Sequence, residues 1–295
     1  MISGIDVSHW QNDKSTPQKM NFTKARAAGA KFVFIKVSER GGMDEDFIYN
    51  WKTAKAAGIP RGGYHFLRWD ISAILQARIF CELLKDDPGE LPPVADFEAP
   101  IKDGKYPSNA LLAAFLEAVE SILGKRPMIY TSPGFWNSYG KNKITGRFDA
   151  SWSYYPLWIA HYTTAAAPQV PEPWKSLALS NAEGSKPWLF WQYTPVGDGL
   201  KYGAESKGLD MNWFNGTQKE LDKLTNNSVD AEPVEAADAE PVEAADAEPV
   251  EAPTGGGSTE IAYLQKDCEA SRREIDLVAS RIKNIENHLT GFKLP

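Results

Sequence analysis

The chain has 295 residues, of which 42% are hydrophobic and 12% aromatic, and its formal net charge is −7. A chain of this length can bury one large core or two smaller ones. It has no basic stripe, so we expect no nucleic-acid partner, and no apolar run of about 20 residues, so we predict no membrane span. Two cysteines, Cys81 and Cys268, predict neither a disulfide framework nor a zinc site.

The first residues, MISGIDVSHW, contain no basic start and no long apolar stretch. Such a segment is not typical of a secretory signal peptide. We therefore expect a protein made in the cytoplasm without a signal, or one from which a signal was removed.

Short runs rich in β-branched and aromatic residues recur over residues 1–225 and predict eight strands. In chain order they are ISGIDVS, KFVFIKVS, RGGYHF, PPVADFE, RPMIYTS, PLWIAHY, WLFWQYT and LDMNWF. Helical patterns separate the early runs, namely FTKARAAGA, EDFIYNWKTAKAAG, ISAILQARIFCELLKD and SNALLAAFLEAVESILG. Alternation of strand and helix predicts a parallel sheet. We predict an α/β fold, an irregular TIM-like (β/α) barrel whose last three strands are helix-poor, because the later connections are rich in proline.

Polar side chains lie at or near the end of each predicted strand. They are Asp6, Ser8 and His9; Glu39; Tyr64 and His65; Asp96 and Glu98; Tyr130; His161 and Tyr162; Gln192 and Tyr193; and Asp210 and Asn212. In a (β/α) barrel the C-terminal ends of the strands meet at one face, where active sites form. We therefore predict a site at this face, although any single Tyr or His is also compatible with core packing.

Two carboxylates, Asp96 and Glu98, interrupt the apolar run PPVADFEAP. Residues i and i+2 of a strand share a face, so both acids point into the predicted barrel mouth. We expect their mutual repulsion to raise one pKa while the other stays low, which would produce the acid and base that glycoside hydrolysis requires. Asp6 and Asp210 add charge, because the first and eighth strands adjoin in a closed barrel. The alternatives are a solvated loop edge or a Mg²⁺ or Ca²⁺ site; with no phosphate loop present, we predict no metal and no cofactor.

The chain is rich in aromatic residues, with 10 Trp and 11 Tyr. Flat rings stack on sugar faces while their polar edges form hydrogen bonds. The aromatic residues near predicted strand ends are Trp10, Tyr64, Tyr130, Trp158, Tyr162 and Tyr193. They favour a sugar site, with ordinary core packing as the alternative for each ring.

The composition changes after the eighth strand. Residues 226–259 contain the unit AEPVEAAD repeated from Ala231 and end in Gly and Ser, which predicts an extended linker without a core. Residues 260–295 carry a heptad pattern, which predicts a C-terminal coiled-coil helix. Its a and d positions are Ile261, Leu264, Cys268, Ser271, Ile275, Val278, Ile282, Ile285, Leu289 and Phe292. We expect a homo-oligomer, a trimer or tetramer, through 261–292; a helix that folds back or docks on another partner is the alternative.

Eight motifs, in order, resemble those of the glycoside hydrolase family 25 muramidases, lysozymes of bacteria and bacteriophages. They are GIDVSHWQ, FVFIKVSE, GGYHF, VADFE, PMIYTSPGFW, LWIAHY, FWQYT and LDMNWFNG. The resemblance covers about residues 1–220. It implies an irregular (β/α) barrel and cleavage of the β-1,4 bond from N-acetylmuramic acid to N-acetylglucosamine in peptidoglycan glycan strands. The family's acidic positions match Asp6, Asp96, Glu98 and Asp210, and its active-site tyrosine matches Tyr130.

Roles follow from the resemblance together with the chemistry. We expect Glu98 to act as general acid, and Asp96 either as nucleophile or as the group that orients the substrate's own N-acetyl. Asp6 and Asp210 would tune pKa values, with retention of configuration favoured. The predicted substrate-binding residues are Tyr64, Tyr130, Trp158, His161, Gln192 and Tyr193. The alternatives are a chitinase-like hydrolase and a non-catalytic glycan-binding module, and the missing signal fits a phage lysin acting on the host cell wall.

Overall fold

A computed structural model describes residues 1–12, 19–101, 104, 106–179 and 186–226. The chain divides into two units, Met1–Val229 and Asp230–Pro295. The second unit lies outside the described residues, and with it the predicted heptad helix and nearly all of the predicted linker. Both remain predictions.

A closed barrel forms the first unit. Its strands are β1 (Ile2–Val7), β2 (Val33–Glu39), β3 (Gly42–Met43), β4 (Arg61–Phe66), β5 (Val94–Asp96), β6 (Met128–Thr131), β7 (Leu157–Ala160), β8 (Phe190–Asp198) and β9 (Gly208–Phe214). They follow the order β1-β9-β8-β7-β6-β5-β4-β2-β3, and pairing of β1 with β2 closes the barrel. The eight barrel strands coincide with the eight predicted runs. The two-residue strand β3 was not predicted; it pairs antiparallel with the end of β2 outside the closed ring.

The direction of β9 corrects the prediction of a wholly parallel sheet. β9 runs antiparallel to both of its neighbours, β1 and β8. The chain between β8 and β9 contains only the four-residue helix α7, Gly199–Tyr202, whereas a parallel crossover needs a dozen residues or more. As a result the beginning of β9 lies at the mouth, with Asp210 directly opposite Asp6.

The α-helices are α1 (Phe22–Ala27), α2 (Phe47–Ala56), α3 (Ala73–Leu84), α4 (Asn109–Leu123), α5 (Pro133–Tyr139), α6 (Trp174–Leu179), α7 and α8 (Gln218–Asn226). The three long helices, α2, α3 and α4, have 10 to 15 residues and precede β6, whereas α1 and the helices after β6 have nine or fewer. Ser72 and Ser108 cap α3 and α4 by accepting hydrogen bonds from backbone N–H groups of the first turn. Gly124 ends α4 in the left-handed conformation. None of the helices in the described ranges is long and apolar enough to cross a membrane.

The core has an inner and an outer layer, as strand alternation predicts. Val94 on β5 belongs to the cluster inside the barrel, whereas Ala95 and Phe97 pack with the outer cluster against the helices. Within the barrel, Phe34 stacks on Trp158 with ring centroids 4.3 Å apart. This stack closes the barrel interior below its mouth, so the space above it is a cavity with an apolar base.

Candidate active site

A cavity of about 240 Å³ opens at the mouth of the barrel. It is lined by Asp6, Ser8, Trp10, Gln11, Lys36, Tyr64, Phe66, Asp96, Glu98, Tyr130, Trp158, Tyr162, Gln192 and Asp210. The four predicted acidic residues therefore share one cavity, although they lie on three strands and a loop. They are joined there by four of the predicted substrate-binding residues, namely Tyr64, Tyr130, Trp158 and Gln192.

Two predicted substrate-binding residues lie outside this lining. Tyr193 follows Gln192 on β8, so its side chain points to the other face of the strand, where it stacks on Trp213 with centroids 5.0 Å apart. The Nδ1 atom of His161 accepts a hydrogen bond from the backbone N–H of Gln169 at 3.0 Å. Their contact with substrate remains an untested prediction.

Asp6 is the most firmly held of the four acids. Its Oδ2 atom accepts hydrogen bonds from Asn212 Nδ2 at 2.7 Å and from Gln192 Nε2 at 2.9 Å. Both amides are themselves held in place. The Oδ1 atom of Asn212 accepts a hydrogen bond from Trp158 Nε1 at 2.8 Å, and the Oε1 atom of Gln192 accepts hydrogen bonds from two tyrosines. A carboxylate with two fixed donors on one oxygen keeps a single orientation.

The Gln192 amide connects Asp6 to two tyrosines. Its Oε1 atom accepts hydrogen bonds from the Tyr130 hydroxyl at 2.9 Å and the Tyr162 hydroxyl at 2.7 Å. Tyr130 is buried whereas Tyr162 is exposed at the rim. The network therefore runs from the surface of the mouth to the buried acid on β1.

All four acids have a raised pKa, so the prediction that one acid of the Asp96 and Glu98 pair keeps a low pKa is wrong. Burial is the main cause for each and acts on both members of the pair. Burial raises the pKa of Asp6 to about 6, against the hydrogen bonds from the two amides. Burial and the charge of Asp6 raise the pKa of Glu98 to about 7, while Tyr130 and Lys36 oppose the rise. Burial and the charges of Asp6 and Glu98 raise the pKa of Asp210 to about 8.

Asp96 differs from the other acids in its hydrogen bonding. Burial and the charge of Glu98 raise its pKa well above the usual value. Its Oδ1 atom is buried and has no hydrogen-bond partner among the described residues. Buried acceptors are rarely left unpaired, so this oxygen is poised for a donor that enters the cavity.

Lys36 on β2 is a cavity residue that the sequence analysis did not single out. It is 7% exposed, its Nζ atom lies 2.7 Å from Glu39 Oε2, and it sits 5.0 Å from the centre of the Phe66 ring. The signal was present, because Lys36 shares a strand face with inward-pointing Phe34.

Ser8, Trp10 and Gln11 enter the cavity through the short 3₁₀ helix His9–Gln11 that follows β1. The backbone N–H of Ser8 donates to Gln11 Oε1 at 2.7 Å, which fixes the start of this helix. Trp10 is 72% exposed at the rim. In the part of the chain that the structure describes, no group of three or more His, Cys, Asp and Glu side chains is arranged to hold a metal ion.

A closed barrel that holds several carboxyl groups of unequal pKa in its mouth is the arrangement of an acid–base glycoside hydrolase. The family description "Glycosyl hydrolases family 25" matches residues 5–199. The chain belongs to this family.

Relatives and solved structures agree with this assignment. Lysozyme M1 of Streptomyces globisporus is 31% identical over 244 residues, covering 77% of this chain and 72% of the relative. The uncharacterized protein YegX of Escherichia coli K12 is 31% identical over 226 residues, covering 75% and 72%. The crystal structure of a bacterial lysozyme from Streptomyces coelicolor superposes with a TM-score of 0.60 at 30% identity, covering 77% of this chain and 98% of that one.

Proposed function

We propose that the chain is a muramidase, a glycoside hydrolase that cleaves β-1,4 bonds between N-acetylmuramic acid and N-acetylglucosamine in peptidoglycan. Family membership and the similarity to Lysozyme M1 support this activity. The observation that carries the proposal is the shared cavity of Asp6, Asp96, Glu98 and Asp210. Its size and aromatic base suit a sugar ring, and its acids suit the cleavage of a glycosidic bond.

Glu98 is the proposed general acid. With a pKa raised to about 7 it keeps a proton at neutral pH for the leaving glycosidic oxygen. Burial and the negative charge of Asp6 hold that proton. In the second half of the reaction the same group, now ionised, takes a proton from the attacking water.

Asp96 takes one of two proposed roles, as nucleophile or as orienting group for the substrate's acetamido N–H. The unpaired Oδ1 atom supports the second role, since an acetamido N–H would supply its missing donor. Both roles give retention of the anomeric configuration.

The remaining residues position sugar and tune charge. The charge of Asp6 raises the pKa of Glu98 and of Asp210, and Asp6 is kept in place by Gln192 and Asn212. The charge of Asp210 raises the pKa of Tyr64 and of Tyr162. Tyr64, Tyr130 and Trp158 supply the walls and base of the sugar site.

The decisive experiment is mass spectrometry of peptidoglycan digested with the full chain and then reduced with borohydride. A muramidase leaves reduced muramic acid at each new end, whereas cleavage of the other glycosidic bond leaves reduced glucosamine. Soluble chitin oligomers test the chitinase-like alternative. Binding to cell walls without any new reducing ends would instead establish a glycan-binding module and overturn the proposal.

We further propose that the protein acts in phage-mediated lysis of a bacterial host, and that 261–292 joins several catalytic units in one assembly. The heptad pattern supports the second statement. An assembly of this kind binds a cell wall by avidity, since each additional unit meets its substrate at high local concentration.

A further inference from the structure

A second cavity, of about 300 Å³, shares a wall with the reaction cavity. Its charged and ring-bearing lining residues are His9, Lys36, Glu39, Arg40, Asp44 and Glu45. Lys36 lines both cavities, and the ring of His9 packs at a tilt of 38° against Trp10 of the reaction cavity, with ring centroids 4.6 Å apart. The two cavities are therefore neighbours at the mouth of the barrel, with Lys36 between them.

The second cavity differs chemically from the first. Tryptophan, tyrosine and phenylalanine are absent from its lining, so it lacks the flat rings on which sugars stack. It contains two cations, Lys36 and Arg40, beside its acids. Among the described residues that line the reaction cavity, four are acids and one, Lys36, is a cation. Three acids of the second cavity face these two cations, and each cation already has a carboxylate partner, Lys36 in Glu39 and Arg40 in Asp70. The exposed guanidinium of Arg40 still has N–H donors to offer an anionic group that enters the cavity.

The second cavity is built by the hairpin of β2 and β3. Arg40, in the turn between these strands, has φ +55°, a left-handed conformation that is uncommon for a residue with a side chain. An ion pair with Asp70 holds its guanidinium, which is 45% exposed. On the opposite side, Asp44 Oδ2 lies 2.6 Å from His9 Nδ1. These paired groups give the cavity fixed charges of both signs.

We propose that this second cavity binds the peptide branch of the muramic acid residue at which cleavage occurs. The inference rests on the proposed function. In that substrate the branch leaves the same sugar ring as the reacting carbon, so a muramidase must hold it beside the catalytic acids. The branch carries carboxylates and, in many cell walls, a free amine. Arg40 recognises the carboxylates through its spare N–H donors, and the acidic side faces the amine.

The test compares two glycan substrates, strands that carry the peptide and strands from which an amidase has removed it. The full chain should show a higher kcat/KM on peptide-bearing strands. Arg40→Asn removes the guanidinium while keeping a residue that tolerates the left-handed conformation. We expect it to lower kcat/KM about five- to tenfold on peptide-bearing strands, as for loss of one charge-assisted contact, and to leave stripped strands within about twofold.

Arg126→Asn is the matched control, because it removes an arginine from a surface away from both cavities and should change neither value. Activity on stripped strands also reports that each variant is folded. An equal loss on both substrates, or no loss on either, would overturn the peptide site while leaving the muramidase proposal intact. Failure of the unaltered chain to cleave either substrate would instead overturn the muramidase proposal.

Discussion

Glu98 lies where two neighbouring charges act on its proton in opposite directions. The charge of Asp6 raises its pKa and the charge of Lys36 lowers it. Because the general acid must be protonated, activity should fall as pH rises through about 7. This fall is the basic limb of the pH profile. Lys36→Met should move the limb to higher pH and Asp6→Asn should move it to lower pH, each by about half to one pH unit.

The measurement for both variants is the pH profile of kcat/KM on soluble peptidoglycan fragments. Lys36→Arg keeps the positive charge and is the control, so its limb should stay close to that of the unaltered chain. If Lys36→Met and Asp6→Asn shift the limb in the same direction, the fall in activity at high pH does not result from the titration of Glu98.

Glu98→Gln should abolish cleavage and stabilise the fold at high pH. The pKa of Glu98 is raised on folding, so the stability present below its unfolded value of about 4.5 is lost as pH rises through about 7. The neutral amide escapes this loss. We expect the free energy of unfolding to increase by about 1–3 kcal/mol at pH 8 and to change little at pH 4.

Urea unfolding of Glu98→Gln at both pH values, with a cell-wall turbidity assay, checks this prediction. Glu82→Gln, which alters a surface carboxyl on α3, is the control and should keep both its activity and its pH dependence. Substantial cell-wall lysis by Glu98→Gln would remove Glu98 from the role of general acid.

At the scale of the elements, the first residue of strand β4, Arg61, is a buried charged residue. Arg61 is fully buried, donates to Asp87 and Glu90 at 2.7–3.1 Å, and lies 4.5 Å from the Trp51 ring. Replacing the buried arginine leaves the carboxylates of Asp87 and Glu90 without their cationic partner. Arg61→Met should therefore lower the free energy of unfolding by about 3–5 kcal/mol.

Lys55→Met provides the matched control, since Lys55 contacts the same Asp87 at 3.1 Å but is 60% exposed. It should cost no more than about 1 kcal/mol. Urea unfolding midpoints of the two variants make the comparison. Equal losses would mean that burial of Arg61 adds nothing to the stability of this end of the barrel.

The elements show which parts of the fold a sequence can predict. All eight barrel strands were predictable, because apolar and β-branched runs mark a strand wherever it lies. The direction of β9 was not, since an alternating pattern reads the same in parallel and antiparallel pairing. β3, with two residues, is too short to form a pattern.

The residues of the active site also divide into those that the sequence predicts and those that it does not. Asp96 and Glu98 were found because two acids on one face of an apolar strand are chemically unusual. Lys36 was missed, although it lies two residues from the apolar Phe34 on the same strand and therefore shares its face. Tyr193 was predicted by its position near a strand end, but the alternation of side chains along β8 turns it away from the cavity. The topology of the sheet determines which end of each strand lies at the mouth of the barrel. That topology cannot be derived from the order of the residues alone.

At the scale of the whole molecule, we propose that the predicted heptad helix sets how many catalytic units act together. The full chain should sediment as a trimer or tetramer, and a chain ending at residue 226 as a monomer. Both should cleave soluble fragments at the same rate per unit. On intact cell walls the shorter chain should need at least tenfold more protein, because it loses avidity.

Ile275→Asp in the full chain is the control for this comparison. It places a charge in the predicted apolar seam while it keeps the length and the linker, so it should behave as the shorter chain does. A full chain that sediments as a monomer would contradict the prediction, and the heptad helix would then serve another partner.

The pairing of β1 with β9 completes the active site. The enzyme can therefore become active only after β9 has been synthesised. Asp6 takes its hydrogen bonds from Gln192 and Asn212, which follow it by 186 and 206 residues. The ribosome releases β1 first among the strands of the barrel and β9 last. A growing polypeptide therefore has no complete set of acids until translation has passed Asn212 and this strand has left the exit tunnel. Products that end before β9 lack Asp210 and Asn212 and should not hydrolyse a glycan, so the cell that makes the enzyme is exposed to its activity only after β9 completes the barrel.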